Sequence, residues 1–141
     1  MRIRSPRSRA RSWVLQVLYA WELTGEGPLA EYGRRALSQR SVAERYRPYI
    51  ERLLTALELH FAACDARLAE TLSNWRLERL STIDRNILRI GAIEILKFPD
   101  VPPTVAIHEA IRLAERYGSA DSPRFVNGVL DAVSRGVPVA R

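Results

Sequence analysis

Cysteine and histidine are scarce in this sequence of 141 residues. It contains one cysteine, Cys64, and two histidines, His60 and His108. A single cysteine excludes an internal disulfide and a cysteine-based zinc site, and the spacing of these three side chains forms no metal-ligand cluster. We therefore expect no metal site.

Long apolar runs and catalytic motifs are also absent. No stretch approaches the roughly 20 consecutive apolar residues of a membrane-spanning helix, which excludes an integral membrane protein. The sequence has no phosphate loop, no GxGxxG, no GxSxG and no HExxH, and its acidic residues are scattered rather than paired. These absences predict a protein with no cofactor, no catalytic residues and no enzymatic activity.

Lysine is nearly absent, because Lys97 is the only lysine among the 22 basic residues. Five arginines lie within residues 1–11, before the first acid, Glu22, and the remaining 17 basic and 16 acidic residues nearly balance. This basic arm predicts a polyanionic partner, with nucleic acid favoured over an anionic membrane. A solvated, disordered tail and an organelle transit peptide are the alternatives. The arm continues without a break into an apolar-periodic helix, which argues against the transit peptide.

Helical spacing of apolar residues runs through most of the chain, and no segment alternates like a half-buried strand. We predict an all-α fold of six to seven helices packed as two small helical bundles. Within a single domain, the predicted divisions are an arm over 1–11, an N-terminal half over 12–75 and a C-terminal half over 76–141. The predicted helices start near Pro6, cover about 29–39, run from about 48 to 72 with a break near His60, and cover 83–97, 104–117 and 122–135.

Two of the predicted helices carry clear local signals. Ser81, followed three residues later by Asp84, is an acidic variant of the capping box, and the helix that it opens is apolar nearly all round. Such a helix is expected at the centre of a bundle, where Gly91 permits close contact. Ser122 followed by Pro123 predicts a helix N-cap with proline at the first helical position.

The arginines of the arm are the candidate binding residues. Arginine offers a planar fork to phosphates and a flat face to bases, and single-stranded RNA recognition combines such charge with aromatic platforms. In a helix, Arg7 and Arg11 share one face, whereas Arg9 points elsewhere. Tyr19 and Phe125 are candidate platforms, although a place in the core explains each of them equally well.

Four segments resemble the NusB family of bacterial transcription antitermination factors. They occur in the family's order and span nearly the whole chain. The segments are Arg7-Ser8-Arg9-Ala10-Arg11 with Leu15–Tyr19, Asp84–Ile90 with Glu94, Val105–Ala110 with Leu113-Ala114, and Ser122–Asp131. The sequence departs from the family at Ser8, which replaces a basic residue, at His108, where asparagine is common, and at Ile93, where an aromatic residue is usual.

The resemblance implies a cytoplasmic protein that binds the boxA element of nascent RNA together with NusE, a small-subunit ribosomal protein. The pair would act within the transcription elongation complex, notably on ribosomal RNA operons. The implied RNA-binding residues are Arg4, Arg7, Arg9, Arg11, Tyr19, Asp121, Arg124 and Phe125. The implied NusE-binding residues are Glu78 and Asp84.

Other interpretations stay open at this point. NusB-like domains also occur as targeting modules at the front of RNA cytosine methyltransferases, so the chain could derive from such an enzyme. A helical DNA-binding protein is disfavoured because the basic cluster precedes the first helix rather than lying on a recognition helix. The sequence does not distinguish a monomer from a homodimer.

Overall fold

The computed structural model describes residues 5–73 and 75–139. Within these ranges the chain forms seven α-helices, two short 3₁₀ turns and no strand, which confirms the all-α prediction. The helices are α1 (Pro6–Thr24), α2 (Leu29–Ser38), α3 (Arg47–Leu59), α4 (Phe61–Leu72), α5 (Thr82–Lys97), α6 (Pro103–Tyr117) and α7 (Ser122–Arg135), and the 3₁₀ turns are Glu44–Tyr46 and Leu77–Arg79. Among the described residues, none of the helices has the length and apolar character needed to cross a bilayer.

The helices form two compact units, Met1–Leu59 and His60–Arg141. The first contains α1 to α3 and the second α4 to α7. This boundary lies earlier than the predicted division between residues 75 and 76, because α4 packs against α5 and α7. The expected break near His60 is therefore the boundary itself, and residues 75–81 lie in the connector between α4 and α5, inside the second unit.

The core of the first unit is built on α1. Ala10, Val14 and Leu18 follow one another at four-residue intervals and are fully buried, which places them on one face of the helix. This face packs against α2 and α3. A side chain at Gly33 of α2 would meet Leu54 of α3, so the glycine allows these two helices to approach closely.

The second unit is organised around α5, as its all-round apolar sequence predicts. Nine consecutive residues, from Asn86 to Glu94, are buried, and α5 contacts α4, α6 and α7. A Cβ atom at Gly91 would overlap the side chain of Leu130 on α7. Gly91 thus permits the close contact that the sequence predicts.

The start of α7 differs from its sequence prediction. Asp121, not Ser122, occupies the N-cap position, and no side chain caps this helix. The hydroxyl of Ser122 instead donates to the Asp84 carboxylate at 2.7 Å and accepts from the backbone N–H of Ser119 at 3.0 Å. The predicted cap is wrong because Ser122 is already the first residue of α7, and its hydroxyl, oriented by Asp84 of α5, accepts from Ser119 rather than from an N–H of the first turn of α7. The end of α7 is as predicted, with Gly136 in the left-handed conformation at φ +68°.

Candidate nucleic-acid interface

Arg7, Arg9 and Arg11 lie in the first turns of α1. Ser5 caps this helix by accepting from the backbone N–H of Ser8, and Pro6 occupies the first turn. Arg7 and Arg9 are exposed, whereas Arg11 is only 3% exposed. Arg4, another predicted RNA-binding residue, lies outside the described residues. Arg7 and Arg9 can therefore reach a large ligand directly, and Arg11 can act mainly by supporting its neighbours.

Three arginines converge on the aromatic ring of Tyr49, a buried residue of α3. The guanidinium carbons lie 4.6 Å from the ring centroid for Arg7, 5.4 Å for Arg11 and 5.7 Å for Arg52. Cations at such distances are attracted by the negative face of the ring. The predicted common face of Arg7 and Arg11 is thus confirmed, and its neighbour is a tyrosine that the sequence alone did not indicate.

A cavity of about 530 Å³ opens beside this cluster. It is lined by Ser5, Pro6, Arg7, Arg45, Pro48, Tyr49 and Arg52. Its size is within the range of clefts that hold small molecules, roughly 300–1,000 Å³. Three of the lining residues are arginines, and none of the described lining residues is acidic. The cavity therefore favours an anion.

Two predicted residues of the first unit lie outside the cavity lining. Arg9 is exposed and does not line the cavity, in agreement with its predicted place off the face of Arg7 and Arg11. Tyr19 is 41% exposed, so its ring is available at the surface. A rise of 1.5 Å per residue puts Tyr19 about 18 Å along α1 from Arg7. The structure brings Arg7, Arg11 and Tyr49 together but leaves Arg9 and Tyr19 apart from them.

The second unit presents a separate patch at the start of α7. Asp121 and Arg124 are exposed and Phe125 is half-buried. The Phe125 ring meets Trp75 edge to face, with centroids 5.6 Å apart and ring planes at 65°. Trp75 itself is 56% exposed. An exposed tryptophan against a half-buried phenylalanine, beside an arginine, can stack on unpaired bases.

The two residues predicted to bind a protein partner have different surroundings. Glu78 is exposed in the 3₁₀ turn Leu77–Arg79, and one of its carboxylate oxygens lies 3.9 Å from a guanidinium nitrogen of Arg76. Asp84 is half-buried, and one of its oxygens accepts the hydrogen bond from Ser122. Asp84 therefore links α5 to α7, whereas Glu78 is available to a partner.

Sequence reasoning did not identify Arg45, Tyr49, Arg52 or Trp75 as part of these surfaces. A signal was present for three of them, because positions 45, 49 and 52 are spaced at i, i+4 and i+7, the spacing of one helical face. Trp75 lies in the connector between the predicted helices 48–72 and 83–97, where no spacing rule applies. Its exposure depends on how that connector packs, which local sequence does not determine.

The described residues contain no group of three or more histidine, cysteine or acidic side chains that could hold a metal ion. Burial, reinforced by the nearby Asp65 carboxylate, raises the pKa of the Cys64 thiol to about 12. A thiol with this pKa stays protonated at neutral pH and is a poor nucleophile and metal ligand.

Known proteins resemble this chain in both sequence and structure. A sequence model of the NusB family matches residues 8–135. The transcription antitermination protein NusB of Anaeromyxobacter dehalogenans (strain 2CP-1 / ATCC BAA-258) is 41% identical over 137 residues, which cover 97% of this chain and 96% of that protein. T. maritima NusB has a TM-score of 0.85 at 31% identity, covering 96% of this chain and 94% of that one. A chain in a crystal structure of the antitermination factors NusB and NusE with double-stranded RNA has a TM-score of 0.82 at 26% identity, covering 93% of this chain and 97% of its own length.

Proposed function

This chain belongs to the NusB family of transcription antitermination factors, and we propose that it binds boxA-type single-stranded RNA together with NusE. The complex would join the transcription elongation complex and promote antitermination on ribosomal RNA operons. The chain has no chemical step to perform in this role. It recognises RNA and presents it to other components.

The arginine cluster at the start of α1 is the observation that carries the RNA-binding part of this proposal. Arg7 and Arg9 are exposed at the end of the chain where most of the net charge is concentrated. Their guanidinium groups would contact phosphates, and Arg11, held against Tyr49, would position Arg7. The match to a solved complex of NusB and NusE with double-stranded RNA supports RNA as the nucleic acid.

The patch on the second unit would supply contacts to unpaired bases. Phe125 and Trp75 offer aromatic faces, and Arg124 and Asp121 offer a donor and an acceptor for base edges. Tyr19 would provide a further ring on the first unit. We assign NusE to the surface around Glu78, with Asp84 holding the adjoining start of α7 in place.

A binding titration with labelled RNA tests this proposal. We expect the full chain to bind a single-stranded boxA-like RNA more tightly than a scrambled RNA of the same length and more tightly than duplex DNA or duplex RNA. If about four arginines contact phosphates, log K should fall with log salt with a slope of roughly −3. A slope near zero, or equal binding to all four nucleic acids, would contradict the proposal.

Two substitutions separate the phosphate contacts from the base contacts. Arg9→Gln should weaken binding about fivefold at 0.1 M salt, since one phosphate contact on a single strand contributes about 0.7 to the slope. Phe125→Leu should weaken it about tenfold, because base–aromatic stacking contributes about 1–3 kcal/mol, and Phe125→Tyr should retain binding. Arg35→Gln, which removes one exposed arginine of α2, is the charge-matched control and should change neither the affinity for the RNA nor the slope of log K against log salt.

A further inference from the structure

The cavity beside Tyr49 extends the basic surface of the first unit beyond the N-terminal arm. Arg45 lies in the 3₁₀ turn Glu44–Tyr46 and Arg52 lies one turn further along α3 than Pro48. Both line the cavity together with Arg7. Three chain segments thus contribute one arginine each to a single concave surface.

The positions of these arginines are held by aromatic rings. The Arg52 guanidinium lies against the Tyr49 ring, and the Arg45 guanidinium lies 4.7 Å from the ring centroid of Tyr46 and donates to the Tyr46 hydroxyl at 3.0 Å. Side chains placed in this way lose less conformational entropy on binding than freely rotating ones. The arrangement is a preorganised anion site rather than a diffuse positive charge.

We infer that this cavity binds a backbone phosphate and the adjoining ribose of the single-stranded RNA, with Arg45 and Arg52 as phosphate ligands in addition to Arg7. The guanidinium groups supply planar donors for a phosphodiester, and Pro6, Pro48 and the edge of Tyr49 supply apolar walls for a sugar. The volume of about 530 Å³ accommodates one nucleotide rather than a segment of duplex. This inference rests on the proposed RNA-binding function and adds α3 to the surface that performs it.

Tyr49 acts in this site as a positioning residue. Tyr49 is only 7% exposed, so it offers little surface to RNA, yet its ring faces the guanidinium groups of Arg7, Arg11 and Arg52. Removal of the ring should therefore release two exposed arginines and one buried arginine at once. Tyr49→Phe should preserve the positioning, whereas Tyr49→Leu should not.

The test is the salt dependence of binding to the boxA-like RNA, measured on the full chain carrying Arg45→Gln and Arg52→Gln together. Because the cavity holds a single phosphate, losing that contact should change the slope of log K against log salt by about 0.7, from roughly −3 to roughly −2.3, and weaken binding about fivefold at 0.1 M salt. The control carries Arg34→Gln and Arg35→Gln, which remove the same charge from exposed positions of α2 outside the cavity lining. It should keep the slope of the unsubstituted chain.

Each outcome has a distinct meaning. An unchanged slope in the Arg45/Arg52 variant, or an equal change in the α2 control, would overturn the cavity as a phosphate site. Failure of the unsubstituted chain to prefer the boxA-like RNA would overturn the proposed function itself. Tyr49→Leu adds a second readout, since it should reduce the slope while its net charge is unchanged, and Tyr49→Phe should restore the slope. Circular dichroism at the binding temperature distinguishes a reduced slope that comes from loss of the ring from one that comes from unfolding of the Tyr49→Leu variant.

Discussion

At the scale of single residues, the ion pair between Arg89 of α5 and Asp65 of α4 stands out in the second unit, because each of the three guanidinium nitrogens of Arg89 donates a hydrogen bond. Arg89 donates to both carboxylate oxygens of Asp65, at 2.9 and 2.8 Å, and to the side-chain oxygen of Asn86 at 2.9 Å. Its guanidinium also lies 4.5 Å from the ring centroid of Phe61. Because Arg89 is buried, this pair joins α5 to α4 with little competition from water.

Arg89→Met should lower the free energy of unfolding by about 3 kcal/mol, because it leaves the Asp65 carboxylate without its charged partner in a partly buried place. Arg35→Met, which breaks the exposed pair with Glu31, should cost about 0.5 kcal/mol or less. Urea denaturation of both variants provides the comparison. Equal losses would show that burial does not distinguish the two pairs.

Residue-scale prediction from sequence succeeded where a local rule applied. The four-residue spacing of Arg7 and Arg11 correctly placed both on one helical face, because that spacing depends only on helix geometry. It could not indicate Tyr49 as their shared neighbour, since that contact requires α1 to pack against α3. For the same reason, Ser122 was predicted as a helix cap although its hydroxyl binds Asp84, which lies on another helix.

At the scale of helices, the contact between α5 and α7 depends on the absence of a side chain at Gly91. Leu130 is fully buried and fills the space that a Cβ atom would need.

The bounds of α5 were predicted closely from the sequence, at 83–97 against the observed Thr82–Lys97. An unbroken apolar pattern that follows a serine cap indicates both the first and the last residue of a helix. The sequence pattern also placed a break near His60, where α3 ends and α4 begins, but it did not indicate that this break separates two units, since apolar spacing continues on both sides of His60.

Gly91→Ala should destabilise the protein by about 1 kcal/mol. Alanine favours the helix by about 1 kcal/mol relative to glycine, but overpacking against a buried leucine costs about 1–3 kcal/mol. Leu130→Ala should relieve that overlap, so the double variant should lose less stability than the sum of the two single variants. Thermal or chemical denaturation of all four proteins completes the cycle. Stabilisation by Gly91→Ala alone would contradict the close contact.

At the scale of the whole molecule, the uneven charge distribution connects the sequence to the proposed function. Residues 1–11 hold five of the arginines, while the rest of the chain is nearly neutral. The fold class and family followed from patterns spread over the whole sequence, and both are confirmed by the structure and by relatives that align over most of their length. The boundary between the units did not follow, because the assignment of α4 is made by its contacts with α5 and α7.

Recognition of boxA-type RNA is tested most directly by an anisotropy titration of labelled single-stranded boxA-like RNA with the full chain, in the presence and absence of NusE, beside a scrambled RNA. We expect tighter binding to the boxA-like RNA and a further gain in affinity when NusE is added. Equal, weak binding to both RNAs that NusE leaves unchanged would contradict the proposed recognition, because the arginines would then attract polyanions without recognising a sequence.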